Sequence, residues 1–294
     1  MRFSTIAILL LWSCLPSVEA QQTDLCSRFK QHVQSLSATE LDGRFSGTKG
    51  ETKAKDYIIS QLKLGRMTRL SIDSFAIDTV ILGHKVKTRT ANLRVFLNNK
   101  ADSTIILIAH FDHLGIDSIG LSNFNGNPTL HPGADDNASG VAFLLELEKE
   151  MELKKAHYNY LFLFTSGEEM GLLGAKHFLS SANFNRLKIK LVLNLDMIGR
   201  SNDNSKFMAY CTSGWTKPEK QELLNLDTEK LLTFSESCPK ISDHFPFHQK
   251  GVKTLFLTSG VHQDYHRPSD TFEKLDYKKM EKLYGLVMNY LRKF

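Results

Sequence analysis

Three near-continuous apolar segments limit most strongly what this chain can fold into. They are Thr104–Ala109, Tyr160–Thr165 and Lys190–Leu195. Short runs of this kind are typical of strands that are covered on both faces, as in a largely parallel sheet. The pattern therefore predicts an α/β fold in which helices flank both faces of a mixed, mainly parallel central sheet.

The remaining periodicity supplies the other elements of such a fold. Leu70–Leu97 alternates between apolar and polar residues and breaks at Gly83, so it predicts two or three antiparallel strands at one edge of the sheet. Thr254–Thr258 is a further strand, whereas Ser201–Lys240 is polar and irregular and is interpreted as a lobe over the pocket. Helices are predicted over Asp24–Leu36, Glu51–Leu64, Ser139–Lys154, Gly174–Ser180 and Tyr277–Leu291.

Length and charge exclude some classes of protein. The chain has 294 residues, of which 41% are hydrophobic, and no repeat or flexible linker divides it. One domain over residues 21–294 is therefore predicted. The formal net charge is +5, and no run of Lys and Arg indicates a nucleic-acid partner.

The first 20 residues have the pattern of a secretory signal peptide. Arg2 precedes the apolar stretch Ile6–Trp12, and Val18-Glu19-Ala20 places small residues where a signal peptidase cleaves. The stretch is too short to span a bilayer, so we expect no transmembrane segment and a secreted or periplasmic protein. The alternative is cleavage before Cys14 with a lipid attached there, which would make the protein a membrane-anchored lipoprotein.

Three cysteines remain after the predicted signal: Cys26, Cys211 and Cys238. An oxidising compartment permits a disulfide bond. We expect Cys211 and Cys238 to pair if the segment between them folds back on itself, which would leave Cys26 as a free thiol.

Polar clusters follow each of the three apolar segments. His110 and Asp112 follow the first, Glu168 and Glu169 the second, and Asp196 the third. In an open α/β sheet, ligands collect where strands end, because the loops there converge on one crevice. Two further clusters lie elsewhere in the chain, Pro132–Asn137 with Asp135 and Asp136, and Tyr265–Pro268 with His266.

Carboxylates combined with imidazoles suit a pair of Zn²⁺ ions better than Ca²⁺ or Mg²⁺, which rarely recruit imidazole. The composition of these clusters therefore predicts a two-metal hydrolase. Taken singly, each cluster has an ordinary alternative. Asp135 and Asp136 could cap the following helix. His110 and Asp112 share one face of an extended chain, so they could form a structural pair in which Asp112 accepts the imidazole N–H.

The clusters occur within longer motifs, and together these resemble the M28 zinc aminopeptidases of the Streptomyces and Aeromonas type. The resemblance extends from about Leu41 to Thr271. It is carried in order by Leu41–Arg44, Ala54–Tyr57, His110–Asp112, Gly133–Gly140, Glu168–Leu172, Asn194–Gly199, Ser242–His244 and Tyr265–Thr271.

The resemblance implies a role for each candidate residue. Two Zn²⁺ ions per chain would share Asp136, with a cis peptide after it, while Asp135 would be no ligand. Glu168 would be the general base, and Asp112 would support the ring of His110. Tyr265 stands where some members of the family polarise the substrate carbonyl. The other metal ligands would be His110 and Asp196 at one ion, and Glu169 and His266 at the other.

The implied function is a secreted di-zinc exopeptidase, namely an aminopeptidase acting on peptides with a free N-terminus, and we expect a monomer. Alternatives are a carboxypeptidase or dipeptidase, in which Arg200 or Arg267 would hold the carboxylate, and a binding module without activity. The related glutaminyl cyclases, which use a single zinc, are a further alternative. Additional histidines could line the pocket or compete as ligands, namely His113, His131, His244, His248 and His262.

Overall fold

A single sheet of eight strands organises the chain. The computed structural model describes residues 24–117, 119–123, 125–151, 156–201, 206–212 and 214–293, so the predicted signal peptide and Cys14 lie outside the described residues. The strands are β1 Thr68–Ile81, β2 His84–Leu97, β3 Thr104–His110, β4 Asn159–Thr165, β5 Ile189–Leu195, β6 Phe207–Cys211, β7 Leu232–Ser235 and β8 Thr254–Thr258.

The order of the strands in the sheet is β1-β2-β4-β3-β5-β8-β6-β7. The central strands β4, β3, β5 and β8 run parallel to one another, so their carboxyl ends lie at the same edge of the sheet. Antiparallel pairs flank this block, β1 and β2 with β4 on one side and β6 with β8 on the other. The predicted mixed, mainly parallel sheet is confirmed, including its three interior strands and the antiparallel edge.

The segment predicted as an irregular lobe contributes two strands and a helix to the fold instead. It contains β6 and β7, which pair in parallel and form the far edge, and the helix Lys217–Leu226 between them. The expected disulfide is also wrong, because the three described cysteines are free thiols. Cys211 ends β6 with its side chain in the core, whereas Cys238 follows β7 and is only half-buried.

Helices complete the layers of the fold. Their first residues are often preceded by side chains that accept backbone N–H groups, such as Asp24, Thr48, Thr216 and Asp276. Such caps stabilise a helix start by typically about 1 kcal/mol. The helices are α1 Leu25–Leu36, α2 Lys49–Gln61, α3 Gly140–Met151, α4 Leu173–Ser180, α5 Ala182–Asn185, α6 Lys217–Leu226, α7 His244–Gln249 and α8 Tyr277–Leu291.

Both faces of the sheet are buried, and alternate residues of each central strand face opposite layers. Along β3, Ile105 and Leu107 belong to a large core cluster with residues of α1, α3 and α8. Ile106 and Ile108 belong to a second cluster with residues of α4 and α7. This explains why the sequence of β3 has no polar alternation. No helix among the described residues is both long and apolar enough to cross a membrane.

A buried ion-pair network joins α1 to α3. Glu146 is 3% exposed, and its carboxylate lies 2.6 Å from Arg28 Nε, 3.0 Å from His32 Nε2 and 2.9 Å from Lys149 Nζ. Burial by itself would raise the pKa of Glu146, but the hydrogen bonds from these three partners outweigh it and lower the pKa to about 2. Ionised Glu146 therefore stabilises the fold above its ordinary pKa of 4.5, and that stability is lost as the pH falls towards 2.

We expect Glu146→Gln to lower the free energy of unfolding at pH 7 by about 1.5–3 kcal/mol, because the charged partners Arg28 and Lys149 lose their carboxylate. The difference from the wild type should shrink between pH 7 and pH 3, since the unfolded wild-type chain takes up a proton on Glu146 below pH 4.5 while the folded protein keeps the carboxylate ionised until about pH 2. Urea denaturation at both pH values measures this. Glu222→Gln, at an exposed position of α6, is the control, and a pH-independent loss in Glu146→Gln would contradict the prediction.

One buried arginine connects the loops at the carboxyl edge of the sheet. Arg44 is fully buried, and burial lowers its pKa to about 10. Its guanidinium donates to the carbonyls of Phe111 at 2.9 Å, Pro132 at 2.7 Å and Gly133 at 2.9 Å, and also to that of Leu36. These bonds fix the loop after β3 against the loop that precedes α3.

Lysine cannot reproduce this fork of donors, so Arg44→Lys should leave buried carbonyls without a partner. Each such group costs about 1–3 kcal/mol, and we expect a lower midpoint of urea denaturation. Arg69→Lys, an exposed exchange on β1, provides the matched control. Equal stability of the two variants would show that Arg44 does not hold these loops.

Candidate metal centre

The carboxyl ends of β3, β4, β5 and β8 form one wall of a cavity of about 320 Å³. His110 is the last residue of β3, Glu168 and Glu169 follow β4, and Asp196 follows β5. The loop before α3 contributes Asp136, and the loop after β8 contributes Tyr265 and His266. All seven side chains named in the sequence for catalysis or metal binding thus line the same cavity.

The first group of potential ligands is centred on His110. Its Nε2 lies 3.3 Å from Asp136 Oδ1 and 3.3 Å from Asp196 Oδ1. Asp196 also accepts a hydrogen bond of 2.6 Å from Ser242 Oγ. All three members of the group are buried, and their ligand atoms lie within 4.8 Å of one another.

The second group shares Asp136 with the first. His266 Nε2 lies 3.3 Å from Asp136 Oδ2 and 3.1 Å from Glu169 Oε2. His113 Nδ1 lies 2.8 Å from Glu169 Oε1 and 3.9 Å from Asp136 Oδ2. The three residues whose ligand atoms lie within 4.8 Å of one another here are His113, Asp136 and Glu169, and His266 lies against the two carboxylates of that group. Of the additional histidines considered from the sequence, His113 is therefore the one that contacts the candidate ligands.

This donor set fits zinc ions. Two imidazoles and three carboxylates supply the nitrogen and oxygen ligands that zinc takes up in hydrolases. His266 Nε2 is buried and has no hydrogen-bond partner among the described residues, although two carboxylates lie beside it. An unsatisfied imidazole nitrogen in such a position carries a lone pair to which a metal ion would bind.

The sequence indicates a hydrogen bond from the His110 ring to the carboxylate of Asp112, but the ring donates to the main-chain carbonyl of that residue instead. His110 Nδ1 donates to the main-chain carbonyl of Asp112 at 3.2 Å, while the Asp112 carboxylate lies 3.7 Å away. That carboxylate instead accepts from Ser46 Oγ at 3.0 Å and from the Glu168 N–H at 3.3 Å. Asp112 thereby orients His110 through its backbone and holds the Glu168 backbone through its side chain.

The loop that carries Asp136 is fixed by polar contacts beneath the cavity. Asp270 Oδ2 accepts from the N–H groups of Asp135 at 2.9 Å and Asp136 at 3.1 Å. The Asp135 carboxylate accepts from the Gly199 N–H and lies 3.1 Å from His262 Nε2, so it faces away from the metal ligands. The peptide between Asp136 and Asn137 is cis, as the resemblance implied.

Gly133 opens this loop at a φ of +58°, in the left-handed region. A Cβ atom added there would lie 2.3 Å from the carbonyl oxygen of Asp136. Both the positive φ and the close approach require glycine at this position. The loop therefore turns sharply enough to bring Asp136 between the two histidines.

Glu168 and Tyr265 line the cavity without taking part in the ligand contacts. Glu168 is 8% exposed. Burial raises its pKa well above the ordinary value, as do Glu169 and Asp196, against the lowering effect of His110. Burial also raises the pKa of Tyr265, whose ring stacks on that of His266 with centroids 3.9 Å apart. The Tyr265 phenol therefore remains a protonated hydrogen-bond donor at neutral pH.

Ser242 and Asp270, to which the sequence assigned no role, support the site, and so does His113, which the sequence indicated only as one of several histidines that could line the pocket or compete as ligands. His113, Ser242 and Asp270 contact candidate ligands or their backbone. The motifs contained all but His113, yet no pattern assigned them a partner, since each contact joins residues distant in the chain. The rest of the cavity is largely apolar or aromatic, and its walls include Met197, Tyr210, Ile241, Phe256 and Val261.

Known proteins share this sequence pattern and this fold. The profile of Peptidase family M28 matches residues 92–291. Aminopeptidase YwaD of Bacillus subtilis is 27% identical over 210 residues, which cover 68% of this chain and 46% of YwaD. The chain spans about half of the length of several curated relatives that it matches.

Solved structures share the architecture. A leucine aminopeptidase precursor from Bacteroides thetaiotaomicron superposes with a TM-score of 0.73 at 18% identity, covering 92% of this chain and 97% of the other. The glutaminyl cyclase of Porphyromonas gingivalis gives 0.72 at 19% identity, covering 92% and 99%. These low identities show a common fold alone. The family profile, in contrast, matches more than half of the sequence, and the chain therefore belongs to peptidase family M28.

Proposed function

We propose that the protein is a di-zinc aminopeptidase that removes the first residue from peptides. The observation that carries this proposal is the pair of ligand groups sharing Asp136, with Glu168 beside them in the same cavity. Membership of M28 makes it a hydrolase of the metallopeptidase type. The aminopeptidase names of relatives such as YwaD support the finer assignment.

His110, Asp136 and Asp196 would hold one zinc ion, and Asp136, Glu169 and His266 the other. Bound there, zinc would supply Lewis-acid polarisation of the scissile carbonyl and a lower pKa for the attacking water. His113 would keep Glu169 in place through the 2.8 Å contact between Nδ1 and Oε1.

Glu168 would act as the general base. Its carboxylate takes a proton from the water that attacks the carbonyl carbon, and then gives that proton to the nitrogen of the departing amine. No hydrogen bond from another described side chain occupies this carboxylate, which leaves its oxygens available. The Tyr265 hydroxyl would donate a hydrogen bond to the oxygen that becomes negative during the attack.

The charges of the cavity favour a substrate amine over a substrate carboxylate. Four of its lining side chains are carboxylates, and none of the described ones is lysine or arginine. Arg200, one of the two arginines considered as a clamp for a carboxypeptidase, pairs with Asp264 at 2.5 Å. Binding of the substrate's free α-amino group beside these carboxylates would explain why single residues are removed from the N-terminus.

The predicted signal peptide supports secretion or a periplasmic location, with lipid attachment at Cys14 as the alternative. These two possible locations are part of the proposal. So are a monomeric state and a single domain over residues 21–294.

Substrates and metal content test the function together. We expect hydrolysis of leucine p-nitroanilide and of free peptides, no hydrolysis of amino-blocked peptides, and two zinc ions per chain by elemental analysis. Removal of zinc with a chelator should abolish activity, and added zinc should restore it. Conversion of N-terminal Gln to pyroglutamate without peptide hydrolysis would favour the cyclase function of the structural neighbours instead.

Glu168→Gln should separate the chemical step from metal binding. The variant keeps the shape of the side chain but cannot accept a proton, so we expect kcat to fall by about 10²–10⁴-fold with KM little changed. Zinc content and thermal stability should stay near the wild-type values.

Glu169→Gln is the matched comparison, because it alters the neighbouring carboxylate in the same way. This variant should lose zinc from one site, since His266 and His113 both lie against Glu169. If the two variants lost zinc equally, or if Glu168→Gln kept most of its activity, the roles assigned to the pair would be wrong.

A further inference from the structure

We propose that Arg267 binds a carboxylate of the peptide substrate on the far side of the scissile bond. The proposal rests on the aminopeptidase function and narrows its substrate class to short or acidic peptides. The carboxylate would be either the C-terminus of a dipeptide or tripeptide, or the side chain of an Asp or Glu that follows the first residue.

A second cavity adjoins the catalytic one. Its volume is about 420 Å³, and it shares Val261 and Tyr265 with the cavity that holds the candidate metal ligands. If the first residue of a peptide occupies the catalytic cavity, the chain beyond the scissile bond needs an open path. The second cavity provides space of that kind directly beside Tyr265.

The lining of the second cavity has the opposite electrostatic character to that of the first. Among its described residues none is acidic, and Asn125, Gln263 and Arg267 contribute side-chain N–H groups to it. Side-chain amides and a guanidinium are suitable partners for a carboxylate, and arginine can bind one through two parallel hydrogen bonds. The polar residues of this cavity are Ser122, Asn123, Asn125, His262, Gln263 and Arg267.

Arg267 is an exposed residue whose guanidinium pairs with no carboxylate of the described residues. Two acids, Asp264 and Asp270, lie three residues from Arg267, and neither pairs with it. Asp270 accepts from backbone N–H groups of the loop before α3, and Asp264 is occupied by other side chains. It contacts Arg200 at 2.5 Å, Lys274 at 2.7 Å and Ser269 at 2.6 Å. Arg267 is therefore left available to an external anion, whereas Arg200 is not.

The backbone next to Arg267 is held in place by the loop that forms the opposite wall. Asn123 donates its N–H to the His266 carbonyl at 2.9 Å and its side-chain amide to the Tyr265 carbonyl at 3.2 Å. Ser122 Oγ adds a bond of 3.1 Å to the His266 carbonyl. These contacts fix the backbone segment in which Arg267 directly follows the candidate ligand His266.

The spacing suits the second or third residue of a peptide. His266 lines the catalytic cavity and Arg267 the second one, although their Cα atoms are only about 3.8 Å apart. An extended peptide advances about 3.3 Å per residue. We therefore place a carboxylate one or two residues beyond the scissile bond in the second cavity, which adjoins the catalytic cavity at Val261 and Tyr265.

The test compares substrates that differ only in a carboxylate: Leu-Ala, Leu-Ala-Ala, their C-terminal amides, and Leu-Asp amide. We expect the wild type to favour free acids over their amides by about 10-fold in kcat/KM, mainly through KM. Arg267→Gln should bring this ratio close to one, and Arg267→Lys should retain part of it. A preference for Leu-Asp amide over Leu-Ala amide would show that Arg267 also binds the side-chain carboxylate of the second residue.

Leucine p-nitroanilide, which has no carboxylate, separates this proposal from the proposed function. Arg186→Gln, an exposed exchange after α5, is the matched control and should keep the wild-type ratio. An active Arg267→Gln enzyme with an unchanged ratio of free acid to amide would overturn the role of Arg267 alone. So would an equal loss on every substrate, including the anilide, because Arg267 would then act only by supporting His266. If the wild type hydrolysed none of the substrates, the aminopeptidase function itself would be wrong.

Discussion

Four buried carboxylates in one cavity are the constraint on which the rest of the structure depends. Asp136, Glu168 and Asp196 are each less than a tenth exposed, and Glu169 lies against Asp136 and the same histidines. Carboxylates gathered away from water repel one another unless cations or donors offset the charge. Interleaved imidazoles do part of this, and the remaining charge is what makes the cavity suitable for two divalent ions. If these strands met without cations or donors to offset the charge, the repulsion between the carboxylates would destabilise this edge of the sheet.

The supporting layer explains how the cavity keeps its shape. Each loop that carries a candidate ligand is tied to a buried polar side chain beneath it: Arg44 holds the loops after β3 and before α3, and Asp270 holds the backbone of Asp136. Glu51 accepts from Ser166 and Thr90 and so fixes the start of the loop that bears Glu168. Such groups are tolerated in a core because their hydrogen bonds are nearly all made. They give the ligands fixed positions, which metal sites require.

The interior strands and the gathering of the candidate ligands could be predicted because both leave local signals. An apolar run such as that of β3 indicates burial on two faces, and a polar residue directly after it indicates the functional edge. The strands β6 and β7 gave no comparable signal, since they are short and pair with β8 and with each other across long sequence separations. His113 was weighed only as one of several nearby histidines. Its contact with Glu169 depends on how the loops after β3 and β4 approach each other, which no spacing in the sequence specifies.

The loop after β8 unites the two halves of the proposed substrate site. It contributes Tyr265 and His266 to the carboxylate-rich cavity and Arg267 to the neighbouring one. His266 has a φ of +55°. The backbone therefore turns between the residues that line the carboxylate-rich cavity and Arg267, which lines the cavity whose described residues include no acid. A short peptide is itself a dipole, with an amine at one end and a carboxylate at the other. An acidic metal-binding cavity beside a cavity with a free guanidinium matches that dipole in only one orientation. The same arrangement that recognises the amine would thus also fix the direction in which the peptide lies across Glu168.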